Sequence, residues 1–179
     1  MNSYERVAGT FHRRIDCIAS AVDDLAPGIE RGAALLTQAV LDDHKILVLG
    51  TGSDAGLALS LAECLRGAEA GAPALPALAL VQDDDAGEES ALWRDLRILA
   101  RDGDVLLCLD SLEGAPLALA CARLAEERGL IMIALCDSFE PPAGASITLR
   151  ADDRALRREL LLMASHCLQT EIRHLLLGE

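Results

Sequence analysis

The stretch from Lys45 to Leu65, KILVLGTGSDAGLALSLAECL, constrains the fold of this chain more than any other. Ile46-Leu47-Val48-Leu49 is an unbroken apolar run rich in strand formers, the pattern of a strand buried on both faces. Gly50-Thr51-Gly52 ends it, and Ser53 or Asp54 stands where a helix N-cap is needed. Leu57, Leu61, Cys64 and Leu65 then repeat at helical spacing. Strand, glycine turn and helix N-terminus together make an anion cradle, with free N–H groups and the positive dipole end facing the turn. Any parallel sheet also needs such turns for its own sake, so two glycines leave a purely structural role equally open.

The rest of the chain repeats this alternation. Strands are expected at 45–49, 76–81, 104–109, 130–135 and 146–149, and helices at 54–66, 88–100, 115–128 and 153–177. The class is α/β, with a five-stranded, doubly wound parallel sheet and right-handed crossovers. Residues 3–41 read as two helices. Val7, Phe11, Ile15, Ile18, Ala19 and Val22 share one face, Ala26-Pro27-Gly28 interrupts it, and Ile29, Ala33, Leu36 and Val40 continue it. The expected organisation is a single structural domain, with N-terminal helices over 1–43 that form an oligomer interface and a sheet unit over 44–179. In the last helix Leu156, Leu160, Met163, Ala164, Cys167, Leu168, Ile172 and Leu175 form a stripe. Leu161, Leu162, Leu176 and Leu177 make it wider than one small sheet can cover. That width points to a helical interface between copies, or to a partner site at the tail around Leu176 and Leu177.

Composition removes several functions. The 179 residues are 51% hydrophobic but only 2% aromatic, so the core is built from Ala, Leu, Ile and Val. The formal net charge is −13, Lys45 is the sole lysine, and no basic stripe exists, which argues against direct nucleic-acid binding. The six cysteines, at 17, 64, 108, 121, 136 and 167, show no CxxC pair or zinc-ribbon spacing and read as small core residues. No apolar run approaches the roughly 18 residues of a membrane span, and the N-terminus lacks a signal segment. The expectation is a cytoplasmic protein with reduced thiols, no metal and no cofactor.

A ligand in such a sheet belongs beyond the carboxyl ends of the strands, where strand order reverses. With the order 2-1-3-4-5, two loops meet there: Gly50-Thr51-Gly52-Ser53-Asp54 and Asp110-Ser111-Leu112-Glu113-Gly114-Ala115. Thr51, Ser53 and Ser111 offer hydroxyls; Asp54, Asp110 and Glu113 offer carboxylates, with Asp83, Asp84 and Asp85 following the second strand nearby. Two like unit charges at 4 Å cost about 4 kcal/mol at an effective dielectric of 20. The helix dipole returns about 0.3–1 kcal/mol. With nothing basic in either loop, a phosphate dianion is disfavoured unless a neighbouring subunit supplies arginines.

These residues resemble the sugar isomerase (SIS) domain family, in the branch of the phosphoheptose isomerases and the DnaA initiator-associating protein. The resemblance runs through the leading helices, KILVLGTG, LPALAL, GDVLLCLDS, GLIMIALCD and RRELLLMASHCLQTEI, and implies a flavodoxin-like domain in a tetramer. It also implies which residues differ. The family's first loop reads GNGGSA or GNGTSA, so its phosphate-binding serine falls at Asp54, with Ser53 adjacent. Its second loop, STSGNS, falls on Asp110 to Ala115 and leaves only Ser111 at the threonine position. The AQHFAAEL helix, whose His and Glu serve metal binding and proton transfer, is here ALSLAECL. Those positions become Ser60 and Cys64, and Glu63 lies about 100° away around the helix. RIQEVH in the final helix becomes Leu156 to Leu161, which puts Arg158 and Leu161 at the Gln and the first His. His166 keeps the last His position.

Glu63 and His166 are thus the remaining catalytic candidates, and one histidine is not an acid/base pair. Gly50, Thr51, Gly52, Ser53, Asp54, Asp110 and Ser111 are the candidate ligand crevice. The expected function is a catalytically degenerate, oligomeric binding protein, a homotetramer or homodimer, with DnaA as the partner that the resemblance suggests. The alternative is an isomerase of sedoheptulose 7-phosphate or another phosphosugar. A third reading is a metal or phospho-acceptor site of Asp54, Asp83 and Asp110, but Lys45 at a strand start is badly placed for it. A nicotinamide site would need its ribose acid near Glu69, outside any strand.

Overall fold

The computed structural model describes residues 2–67, 74–82 and 90–178. The order of elements is α1 (Ser3–Leu41), β1 (Ile46–Thr51), a 3₁₀ turn (Gly52–Asp54), α2 (Ala55–Leu65), β2 (Ala77–Gln82), α3 (Ala91–Leu99), β3 (Val105–Asp110), α4 (Pro116–Arg128), β4 (Ile131–Cys136), β5 (Gly144–Thr148) and α5 (Arg154–Leu177). The five strands form one sheet in the order β2-β1-β3-β4-β5, every pairing parallel. Most of the 67–76 loop expected after α2, and the acids Asp83, Asp84 and Asp85, lie outside the described residues.

Strand pleating divides the core in two, because successive side chains leave opposite faces. Ile46, Val48, Val105, Leu107, Leu109, Ile133 and Leu135 face α1, α2 and α5. Leu47, Leu49, Leu106, Cys108, Met132, Ala134 and Cys136 face α3 and α4. β1, β3 and β4 are therefore apolar on both faces, as the unbroken runs predicted. Trp93 is the large aromatic of the α3–α4 layer.

The two expected N-terminal helices are one. α1 runs unbroken for 39 residues with Pro27 inside it. A proline in a helix interior costs about 3 kcal/mol in a lost hydrogen bond and a ring clash. The helix continues because its second half is locked onto the sheet: Ala21, Leu25, Ala33, Leu36 and Ala39 are buried against β5, α5 and their neighbours. Gly28 shows what the Pro-Gly pair meant. A Cβ there would lie 2.4 Å from the Ser146 carbonyl oxygen, so Gly28 marks close approach of α1 to β5 rather than a turn. The first half of α1 reaches beyond the sheet, with Tyr4, Val7, Phe11 and Ile15 exposed, and an ion pair from Arg14 to Glu159 ties it to α5.

Along α5 the buried stripe is Leu160, Leu161, Ala164, Leu168 and Ile172, joined by Arg157, Ser165 and Gln169. Leu162, Met163, Leu175 and Leu177 are exposed. Leu176 is half-buried against the core, so of the two expected tail contacts Leu177 alone is free at the surface. All six cysteines are free thiols: Cys108, Cys121 and Cys136 are buried, Cys17 and Cys64 half-buried, and Cys167 exposed. Burial together with nearby Asp110 raises the Cys136 thiol to about 12, and a hydrogen bond with Cys121 raises Cys108, so both are inert at neutral pH. Among the described residues no helix is long and apolar enough to cross a membrane.

Candidate functional site

The strand-order reversal, where the sequence places its candidate crevice, brings the ends of β1 and β3 side by side, with Gly50 paired to Leu109. Gly50 is needed there, since a Cβ would meet the Asp54 carbonyl oxygen at 2.7 Å and the Ala58 side chain at 2.9 Å. Backbone contact of that closeness brings the 3₁₀ turn and α2 back over the strand. Asp54 stands at the N-cap of α2 but makes no side-chain cap bond. Its carboxylate crosses the crevice instead. Oδ2 accepts from the Ser111 amide at 2.8 Å, and Oδ1 accepts from the Ser111 hydroxyl at 3.0 Å and from Arg158 Nε at 3.1 Å. Asp54 and Ser111 are both buried, so the two loops are stapled together.

Asp110, the last residue of β3, does the capping that Asp54 does not. Its Oδ2 accepts from the amides of Leu117 at 2.7 Å and Ala118 at 3.3 Å, in the first turn of α4, and Oδ1 accepts from the Leu112 amide at 3.1 Å. Burial raises the Asp110 carboxyl above its ordinary range and nearby Asp54 adds to the rise, while the three amides pull the other way. Glu113 stays exposed. Gly114 and Ala115 both take positive φ, and Ala115, with φ 48°, is fully buried.

The expectation that nothing basic offsets these acids is corrected by α5. Three arginines from its first turn and a half reach the loops of the same chain. Arg154 Nη2 donates to Ser53 Oγ at 2.7 Å, and Arg158 Nη2 to the Ser53 carbonyl at 2.8 Å. Arg157, itself buried, donates from Nε to the Ser111 carbonyl at 2.9 Å and from Nη1 to the Ala151 carbonyl at 2.9 Å. No neighbouring subunit is required to supply them.

The second candidate place is the seam between α2 and α5. Ser60 and Cys64 of α2 meet Ser165, His166 and Gln169 of α5 around a recess of about 10 Å³. A space of that size suits one water, not a sugar. Gln169 is buried, and its Nε2 has no hydrogen-bond partner among the described residues. Glu63 is not in the recess lining; it is exposed and ion-paired with Arg66 one turn on. The two catalytic candidates of the sequence are thus placed differently, His166 beside the seam and Glu63 on the outer surface. Lys45 lies at the opposite end of the sheet, paired with Asp104. Of the proposed acid cluster, Asp54 and Asp110 approach each other and Asp83 lies outside the described residues. Among the described residues no three His, Cys, Asp or Glu side chains gather to hold a metal.

Residues 10–137 match the SIS domain family. The chain belongs to that family. It is 33% identical to a phosphoheptose isomerase of Halorhodospira halophila over 99% of this chain and 98% of the relative. With a phosphoheptose isomerase of Methylococcus capsulatus it shares 30% identity over the full length of both. Among solved structures, phosphoheptose isomerase of Neisseria gonorrhoeae superposes with a TM-score of 0.80 at 23% identity, covering 96% of this chain and 98% of that one. The Francisella tularensis enzyme gives 0.77 at 19% identity, covering 96% and 98%. At these identities the structural likeness establishes the SIS fold. The flavodoxin-like five-stranded sheet and the long C-terminal helix are those of the family.

Proposed function

We propose that this SIS-domain protein no longer performs the isomerisation for which its relatives are named, and acts as an oligomeric binding protein. The seam between α2 and α5 carries this reading. Where the resemblance puts the family's His and Glu, the chain has Ser60 and Cys64, and His166 faces those two with Ser165 and Gln169. Moving a proton between neighbouring sugar carbons needs an acid and a base whose pKa values suit the task. Among the described residues no carboxylate lines this recess, and Glu63 is exposed and paired with Arg66. The deciding assay incubates the protein with sedoheptulose 7-phosphate, with and without zinc, and follows the aldose product by NMR. No turnover is expected; turnover above background overturns the proposal.

Oligomerisation is supported by the apolar surface left on two helices. Between α1 and α5 runs an apolar groove of about 410 Å³ lined by Ile18, Val22, Leu25, Met163 and Cys167 among others. It lies along the same helix as exposed Val7, Phe11 and Ile15. A second copy of the chain is the occupant proposed, and sedimentation equilibrium tests it: a monomer at micromolar concentration refutes it. Association with DnaA rests on the resemblance alone, and binding to immobilised DnaA is its test.

A second reading is favoured by the relatives. Full-length identity of 33% to a phosphoheptose isomerase supports a working phosphosugar isomerase. It would draw on Arg154 and Arg158 for the phosphate and on a base other than Glu63. The same turnover assay separates the two.

A further inference from the structure

We infer that Asp110 sets the charge of what the crevice accepts, as a built-in anion that occupies the amides and positive field an anionic ligand would otherwise take. The inference deepens the reading above and rests on it. Three observations bear on this carboxylate and its surroundings. It holds the amides of Leu117 and Ala118 in the first turn of α4 and of Leu112 in the loop before it. These N–H groups belong to the turn where a helix dipole and free donors favour negative charge. Independently, Arg154, Arg157 and Arg158 converge on Ser53, Ser111 and Asp54 in the adjoining loops, so positive charge stands close to these donors.

Third, Asp110 is almost wholly buried and lies beside Asp54, so a second negative charge already sits next to it. A phosphate arriving here meets donors already taken and two carboxylates in its way. Neutral polyols meet no such barrier, because they need only the exposed Ser53 hydroxyl, the half-buried Thr51 hydroxyl and backbone groups at the rim. Asp110 is therefore a specificity-determining residue: its charge and its hold on three amides together exclude phosphate esters.

Asp110→Ser and Asp110→Asn test this in the full chain, with inorganic phosphate as the probe and sodium chloride holding ionic strength constant. The wild type should show only the shallow, non-saturating rise in Tm that an excluded, kosmotropic anion gives any protein. Asp110→Ser, which removes the charge and opens space, should gain a saturable, phosphate-specific rise in Tm of about 5–10 °C at a hundredfold excess over Kd. Asp110→Asn keeps the size and one acceptor, and should gain a smaller rise in the same direction; it carries the test if the serine variant does not melt cooperatively. Absence of a saturable rise in the folded variants overturns the inference. So does a wild type that already shows the saturable rise. The two claims fail separately: the functional reading falls if the wild type turns over sedoheptulose 7-phosphate, whereas the role of Asp110 falls if the wild type is inert and its variants gain nothing.

Discussion

β3 is bracketed by two buried aspartates, Asp104 just before its first residue and Asp110 as its last, each 2% exposed. They are held by opposite means. Asp104 is gripped by a cation: its carboxylate pairs with the Lys45 ammonium and accepts from the amides of Lys45 at 3.1 Å and Arg101 at 2.7 Å. Asp110 has three amides and, among the described residues, no cation, with another carboxylate as neighbour. Burial pushes both carboxyls up. At Asp104 the hydrogen bonds from Lys45 and Arg101 outweigh it and hold the group below its ordinary range, whereas at Asp110 they do not. One end of the strand is a settled joint between β1 and β3. The other keeps a charge under tension, and that is the end where the strand order reverses.

Substitution should break the two ends unequally. Asp104→Ala leaves the Lys45 ammonium and two amides without their acceptor, and should cost about 3 kcal/mol in urea unfolding. Asp110→Ala removes a helix cap and should cost about 1–2 kcal/mol, since it also relieves the repulsion from Asp54. Equal losses would erase the contrast.

Acid titration sharpens it further, with a smaller effect. A carboxyl whose folded pKa is raised takes up its proton in the folded state first, so the wild type should gain stability relative to Asp110→Asn as pH falls from 7 toward 4. A carboxyl whose folded pKa is lowered gives stability that is present above the unfolded value near 3.9, and loses it only as pH falls through the lower folded value. The advantage of the wild type over Asp104→Asn should therefore hold steady down to about pH 4 and fade below it. Urea midpoints at pH 7, 5 and 3.5 for the three proteins measure both slopes, and slopes of the same sign would contradict the assignment.

The sheet was legible because buried parallel strands are written as unbroken apolar runs, and Ile46–Leu49 or Val105–Leu109 admit little else. Placing Asp54, Asp110 and Ser111 together needed only the strand order. Pro27 misled because the proline rule is local, while the reason the helix survives it, burial of its second half against β5 and α5, is tertiary. The arginines were missed for a related reason: Arg158 meets Asp54 across 104 residues of chain. A signal was nonetheless present. Arg154, Arg157 and Arg158 crowd the first turns of α5, where the helix dipole disfavours positive charge, and a helix that begins so has acceptors waiting elsewhere. Nothing local told that Asp110 would act as a cap, since the loop of residues 111–115 separates it from α4.

Lys45 is the only lysine in the sequence, and its ammonium is bound to Asp104. A reagent that acylates lysine side chains thus has one target, and must first draw that nitrogen away from a buried carboxylate. The rate of labelling then follows how often this ion pair opens. Acylation at this one side chain is therefore a chemical clock for the bond that ties the start of β1 to the start of β3.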